Sequence, residues 1–377
     1  MAAGRHQLSI TAMAAAVAAL KLIRPLLCLR GGRHLHQHSP PLHTETPLRL
    51  SVRDAVEAGN HRQIPHILSS AAATSDPGDD PFSFLSDLPP ALTARHVDDI
   101  IQSFVSLRPR SLPYLAYAAL LSFLLPETTE LLARCPSVHF PLALAVLQTG
   151  IRHGYSPLPS TRGAFALSWV HLRRRHHRQP ASRLLSSMRD VGYRPDVGSC
   201  NYLIASLCAS SKAEEAICVL RAMGGAGCLP DSESYCTVIE ACCAREGRGL
   251  PAGPAVAAAA ELMREMVAGE GIAPRKRAVG MLVAAMRREG QGRAAAEVVR
   301  LLEREGCAVG FEEYESAVEG CLAGGEFVMA GKMVVEMSKR GFIPYIKARQ
   351  RVVEGLAGIG QQELAIAVRQ CLAKIGS

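Results

Sequence analysis

Apolar residues in the second half of the chain recur at the spacing of helix faces. Between Val197 and Asp231, Tyr202, Leu203, Ile204 and Leu207 form one stripe. The polar run Ala209-Ser210-Ser211-Lys212 follows, and Ala216, Ile217, Val219, Leu220 and Met223 form a second stripe, ending at Gly224-Gly225. Spacing of i, i+3 and i+4 predicts one amphipathic helix per stripe. The segments Arg162 to Asp196, Ser232 to Arg275, Lys276 to Gly310 and Phe311 to Tyr345 show the same two-stripe pattern, and a last pair runs from Ile346 to Lys374. A pair of short helices cannot bury both apolar faces alone, so neighbouring pairs must stack.

A phrase of Gly, two residues and Pro punctuates these segments: Gly154-Tyr-Ser-Pro157, Gly192-Tyr-Arg-Pro195, Gly227-Cys-Leu-Pro230, Gly271-Ile-Ala-Pro274 and Gly341-Phe-Ile-Pro344. In Gly306-Cys-Ala-Val309 the proline is lost. The steps between closing positions are 38, 35, 44, 35 and 35 residues. Gly ends a helix in the left-handed conformation and Pro beyond it cannot continue the helix, so each phrase is a repeat end. The long step is expected to hold an insertion, Gly247 to Pro254, in the turn between two helices. The expectation is an all-α solenoid of stacked helix-turn-helix repeats of 35 residues.

The first half is less regular. Helices are expected at Ser51 to His61, Ile64 to Ala73, His96 to Leu107 and Leu112 to Leu125, with a turn or loop at Asp76 to Pro81. Residues 45–140 are assigned to degenerate or capping repeats and 141–377 to the array, with Leu142 to Pro157 as the second half of one further unit. Residues 1–44 contain Arg5, Lys21, Arg24, Arg30 and Arg33 and no acid, the composition of an organelle transit peptide. Mitochondrion is the first expectation and chloroplast the alternative. Lys21 and Arg24 interrupt the apolar stretch there, which argues against a membrane span.

Net charge is +8. With the first 44 residues set aside, 37 basic side chains face 34 acidic ones, so composition alone shows no basic face. The dense run Arg173-Arg-Arg-His-His-Arg178 is expected in the turn between the helices of its unit, solvated or in contact with phosphate. Twelve Cys include no Cys-x-x-Cys pair and are expected as small, reduced apolar residues. His43-Thr-Glu45 has no Pro-Cys-x-x-Cys to complete a deaminase zinc site, and Gly331-Lys332-Met333 is not a phosphate-binding loop. No enzyme, cofactor or metal site is expected.

Asn201-Tyr-Leu-Ile-x-x-Leu-Cys208, Ala213-Glu-Glu-Ala216 and Gly227-Cys-Leu-Pro-Asp231 together resemble a pentatricopeptide repeat of the plain P type found in plants. The resemblance implies a right-handed solenoid that binds single-stranded RNA, one base per repeat. It implies that the fifth and last residues of each unit read the base: Ala166 with Asp196, Asn201 with Asp231, Cys236 with Arg275, Gly280 with Gly310, and Glu315 with Tyr345. Asn201 with Asp231 would favour uracil, whereas Gly280 with Gly310 would read nothing. The second positions, Gly163, Gly198, Glu233, Arg277 and Glu312, lack the aliphatic residue expected to pack on a base. Arg174 and Arg288 occupy the thirteenth position, where a base toward phosphate is implied; Ala209, Ala244 and Ala323 fill it elsewhere. Two functions from different classes follow: an organellar RNA-binding protein acting by occupancy in processing, stability or translation, or a scaffold for organellar protein complexes whose RNA code has eroded.

Overall fold

The structure, a computed structural model, describes residues 46–71, 79–126, 128–244 and 252–375. The expected transit peptide and part of the expected insertion lie outside the described residues. All regular structure among the described residues is helical, and the chain divides between Leu158 and Pro159 into two compact units.

The first unit comprises α1 (Pro47–Glu57), α2 (Ile64–Ala71), α3 (Pro90–Phe104), α4 (Tyr114–Leu124), α5 (Thr129–Arg134) and α6 (His139–Arg152). The α3 helix starts six residues before the expected His96. Proline presets the backbone angle of a first turn and needs no hydrogen bond there, so Pro90 opens the helix. The α6 helix, grouped with the array by sequence, packs here against α3 and α4. It is buried on every side from His139 to Gly150, as an internal helix must be.

In the second unit, α7 (Pro159–Arg175) is followed by α8 (Ala181–Ser186), α9 (Val197–Ala209) by α10 (Ala213–Ala226), and α11 (Ser232–Cys243) by α12 (Ala252–Arg264). Then come α13 (Lys276–Arg288) with α14 (Gly292–Arg304), α15 (Phe311–Ala323) with α16 (Phe327–Lys339), and α17 (Ile346–Gly358) with α18 (Gln362–Ile375). The first helices pack side by side in chain order, and the second helices lie against them. From α9 onward each first helix begins at the residue that opens its repeat; α7 begins three residues early. Arg173, Arg174 and Arg175 also correct an expectation: they form the last turn of α7, and the turn proper starts at His176. Cations are favoured against the carbonyl end of a helix, which holds these residues in the helix.

The glycine of each repeat end, from Gly154 to Gly341, has φ between 66° and 88°, and Gly306 does so at 73° without its proline. Glycine therefore sets the stop. The next N–H bonds back five residues, as in Cys228 N to Met223 O (3.0 Å) and Cys307 N to Leu302 O (2.8 Å), or six after Gly271, from Ile272 N to Met266 O (2.9 Å), closing the carbonyl end of the helix. Four of the inner turns have their own left-handed residue at the fifteenth position: Gly290, Gly325 and Gly360, with Ser211 at φ 57° in the equivalent place. Leu203, Ile204, Leu207, Val219 and Met223 are buried, as their stripes require. Trp169 is fully buried and donates its indole N–H to Glu215 Oε2 at 2.9 Å, tying α7 to α10. At Gly292 a Cβ would lie 2.1 Å from the carbonyl carbon of Gly320, so α14 and α15 touch backbone to backbone.

Candidate functional site

The last residue of each unit is the N-cap of the next first helix: Asp196 for α9, Asp231 for α11, Arg275 for α13, Gly310 for α15 and Tyr345 for α17. Because first helices lie side by side, the fifth residue of one unit faces that cap in the next. Asn201 Nδ2 donates to Asp231 Oδ1 at 3.1 Å. The backbone N–H of Arg275 donates to Cys236 Sγ at 3.3 Å, and that of Tyr345 to Glu315 Oε1 at 3.4 Å. The other two pairs carry no atoms for such a bond: Ala166 is a buried methyl and Gly280 has no side chain.

The Asn201 position is the most complete. Asp231 Oδ1 also accepts from the Ser234 N–H and hydroxyl, both at 2.9 Å, while Ser234 Oγ accepts from the Asp231 N–H at 3.1 Å. Ser234 Oγ lies 2.6 Å from Asn201 Oδ1, and its one proton serves either that oxygen or the carboxylate at any moment. The amide is held at Nδ2 by Asp231 and, when the hydroxyl proton turns to it, at Oδ1 by Ser234. One N–H of Nδ2 and one lone pair of Oδ1 remain for a ligand, an adjacent donor and acceptor that match the edge of a pyrimidine. Burial would raise the Asp231 carboxyl, but the hydrogen bonds from Ser234 and Asn201 outweigh it and hold the pKa below its ordinary value. Asp196 is capped alike by Ser199, through its N–H at 2.9 Å and hydroxyl at 2.7 Å.

Elsewhere the chemistry differs. Cys236 is fully buried, and Arg275 pairs with Glu233 at 3.4 Å. Glu315 is 3% exposed, and its Oε2 has no hydrogen-bond partner among the described residues. Burial pushes this carboxyl above its ordinary pKa; the Tyr345 N–H opposes the rise, and Glu319 and Glu312 add to it. Tyr345 itself is 57% exposed, with its ring 5.2 Å from Phe311.

Of the two thirteenth-position bases, Arg288 is engaged on the Cys243 carbonyl at 3.0 Å, closing the end of α11. Arg174 is exposed beside Arg175, and Arg178 is exposed in the turn that follows. Their unit, Arg162 to Asp196, carries eight Arg against two Asp, a basic concentration hidden by the balance of the whole chain. Further along, Arg277 pairs with Glu240 at 3.0 Å and Arg287 with Glu319. Such exposed pairs add about 0–1 kcal/mol of stability but cancel the positive field locally.

Sequence reasoning overlooked Ser234 and Glu313, each the third residue of its unit. The signal was available in Asp196-x-x-Ser199 and Asp231-x-x-Ser234, a helix-cap spacing. Glu313 Oε2 accepts from the Gly310 N–H at 3.0 Å, so the unit whose two expected readers are glycines has a carboxylate beside them. Among the described residues no group of His, Cys, Asp and Glu could hold a metal ion, and no helix is long and apolar enough to cross a membrane. Burial raises the thiol pKa of Cys208 and Cys243 to about 12 and of Cys242 to about 11; these are unreactive, packed side chains.

The sequence profile of the PPR repeat family matches residues 195–244. The pentatricopeptide repeat-containing protein At1g06270 of Arabidopsis thaliana is 39% identical over 327 residues, covering 87% of this chain and 90% of that protein. Among solved structures, the pentatricopeptide repeat protein PPR10 from maize aligns at 14% identity and a TM-score of 0.35, covering 87% of this chain and 54% of that one. PPR10 in complex with an 18-nt psaJ RNA element aligns at 16% identity and 0.33, covering 86% and 53%. This chain thus spans about half the length of those solved chains.

Proposed function

The chain belongs to the pentatricopeptide repeat family, and from that premise we propose that it is a P-type organellar protein that binds single-stranded RNA. Repeats of this family take one base per helical unit, read by two or three side chains. The observation that carries the reading is the Asn201 amide, fixed by Asp231 and Ser234 with one donor and one acceptor left over. A held amide discriminates because it cannot rotate to suit the wrong base, and we assign it to uracil. Arg174, Arg175 and Arg178 supply phosphate contact next to this unit. The protein acts by occupancy, shielding an RNA end, opening a hairpin or positioning a processing factor. The acid-free first 44 residues support delivery to the mitochondrion, with the chloroplast as the alternative compartment.

A second reading has its own observation. Arg275, Arg277 and Arg287 are paired with Glu233, Glu240 and Glu319, so this part of the first-helix layer offers a neutral surface suited to a protein partner. Salt separates the two. Phosphate contacts release counterions, and affinity falls steeply as salt rises. In anisotropy titrations of the full chain with random-sequence single-stranded RNA, a steep salt dependence, shallower in Arg174→Ala/Arg178→Ala, supports RNA binding. No binding at low salt sinks it and leaves the scaffold.

A further inference from the structure

The unit Lys276 to Gly310 offers a base no side chain from its own fifth and last positions, which are Gly280 and Gly310. The next unit fills the place. Glu313, the third residue of the following repeat, is 5% exposed. Its Oε2 accepts from the Gly310 N–H at 3.0 Å. Its Oε1 stands 3.3 Å from where a Cβ of Gly280 would be. A Cβ at Gly310 would lie 2.8 Å from Oε2 and 3.9 Å from Lys276 Nζ. The two glycines therefore leave room, a buried carboxylate turns one oxygen into that room, and an ammonium flanks it.

We propose that Glu313 is a base-selecting residue borrowed from the neighbouring repeat, and that with Lys276 it selects guanine at the Gly280 unit. The chemistry is complementary. A carboxylate only accepts and an ammonium only donates. The pairing edge of guanine presents one acceptor, O6, beside two donors, the N1 and N2 N–H groups. Lys276 faces the acceptor and Glu313 the donors. Uracil offers a single donor between two acceptors, which the carboxylate repels. Adenine offers one donor beside a bare ring nitrogen. Lys276 also offsets the charge that Glu313 would otherwise present to an RNA backbone.

The inference rests on the RNA-binding reading above, and one experiment separates their failures. Full-length wild-type, Glu313→Gln, Gly310→Ala and Asn201→Ala proteins are each used to select from a random single-stranded RNA pool, and the bound fraction is sequenced. Glutamine keeps an oxygen for the Gly310 N–H, as this cap position tolerates, so Glu313→Gln is expected to fold. Gly310 has extended backbone angles that alanine can adopt, and its added methyl displaces the carboxylate. With one base per repeat, the expected wild-type motif has guanine two nucleotides from the uracil assigned to Asn201. Glu313→Gln and Gly310→Ala each lose guanine preference by about tenfold or more, the worth of a good paired contact, and keep the uracil. Asn201→Ala does the reverse. A wild-type motif with no guanine there, or one that Glu313→Gln leaves unchanged, overturns the proposal while RNA binding stands. No enriched motif at all overturns both.

Discussion

Replacing Asp231 by alanine tests two roles that the structure gives one carboxylate. Oδ1 takes the Ser234 N–H at 2.9 Å and so caps α11; loss of an Asp cap costs about 1 kcal/mol, within a range of about 0.5–2. The same oxygen takes Asn201 Nδ2 at 3.1 Å, a further contact worth about 1 kcal/mol net. Asp231→Ala should therefore destabilise by about 2 kcal/mol and also free the Asn201 amide to rotate. Ser234→Ala removes the hydroxyl from Asn201 Oδ1 and from the Asp231 N–H but leaves the carboxylate cap, so about 1 kcal/mol is expected. Asp231→Asn keeps a good cap residue and should change stability little. Urea unfolding gives the totals. Amide exchange at residues 231–235 gives the local effect, which matters because repeat arrays can unfold in parts. The RNA readout is anisotropy with oligomers differing by U or A at the selected position, where the U preference should fall about tenfold for Asp231→Ala, matching about 1.4 kcal/mol. Unchanged local exchange together with an unchanged preference would refute the linked cap-and-reader arrangement.

Other consequences are open to direct measurement. Glu315 has a raised folded pKa, so its charged form costs stability in full above that raised value, and the cost fades as pH falls toward the ordinary 4.5. Glu315→Gln should melt higher than wild type at neutral pH and converge with it in acid; a constant gap across pH contradicts the assignment. Ser211→Gly relieves a left-handed serine and should stabilise by about 0.5–1 kcal/mol after glycine's extra unfolded-state entropy is deducted, as read by thermal unfolding. Gly292→Ala drives a methyl into the Gly320 backbone and should cost about 3 kcal/mol or more. Gly163→Ala, in open space within α7, should instead stabilise by about 0.5–1 kcal/mol. If both alanines behave alike in urea, the α14–α15 contact is not as close as described.

The repeat register was legible because its punctuation is chemical. Left-handed stops need glycine, and Gly306 marked its repeat end even without a proline. Apolar stripes then located the helices between stops. Helix starts that depend on proline were less legible: α3 opens at Pro90 and α7 at Pro159, ahead of the apolar pattern that suggested them. The candidate site was legible only in part. Asn201 and Asp231 were visible as a pair, and the structure brings them to 3.1 Å. Ser234 was not legible from the two reading positions of a unit, because its role comes from a cap geometry that couples three residues. The Gly280–Gly310 unit looked empty for the same reason, since Glu313 belongs in sequence to the next repeat and reaches back across the boundary. The basic run Arg173 to Arg178 was legible as a cluster, but its placement was not: three of its arginines extend the helix where a turn was expected.

The central claim is that the Asn201 unit holds a base of a single-stranded RNA. Its most direct test is ultraviolet crosslinking of the tagged full-length protein in the cells that express it, followed by immunoprecipitation and sequencing of the bound RNA. An enriched footprint with uracil at the crosslinked position, lost in Asn201→Ala at equal protein abundance, is the expected result. RNA recovery no greater than from an untagged control, or a footprint that Asn201→Ala leaves unaltered, would contradict it.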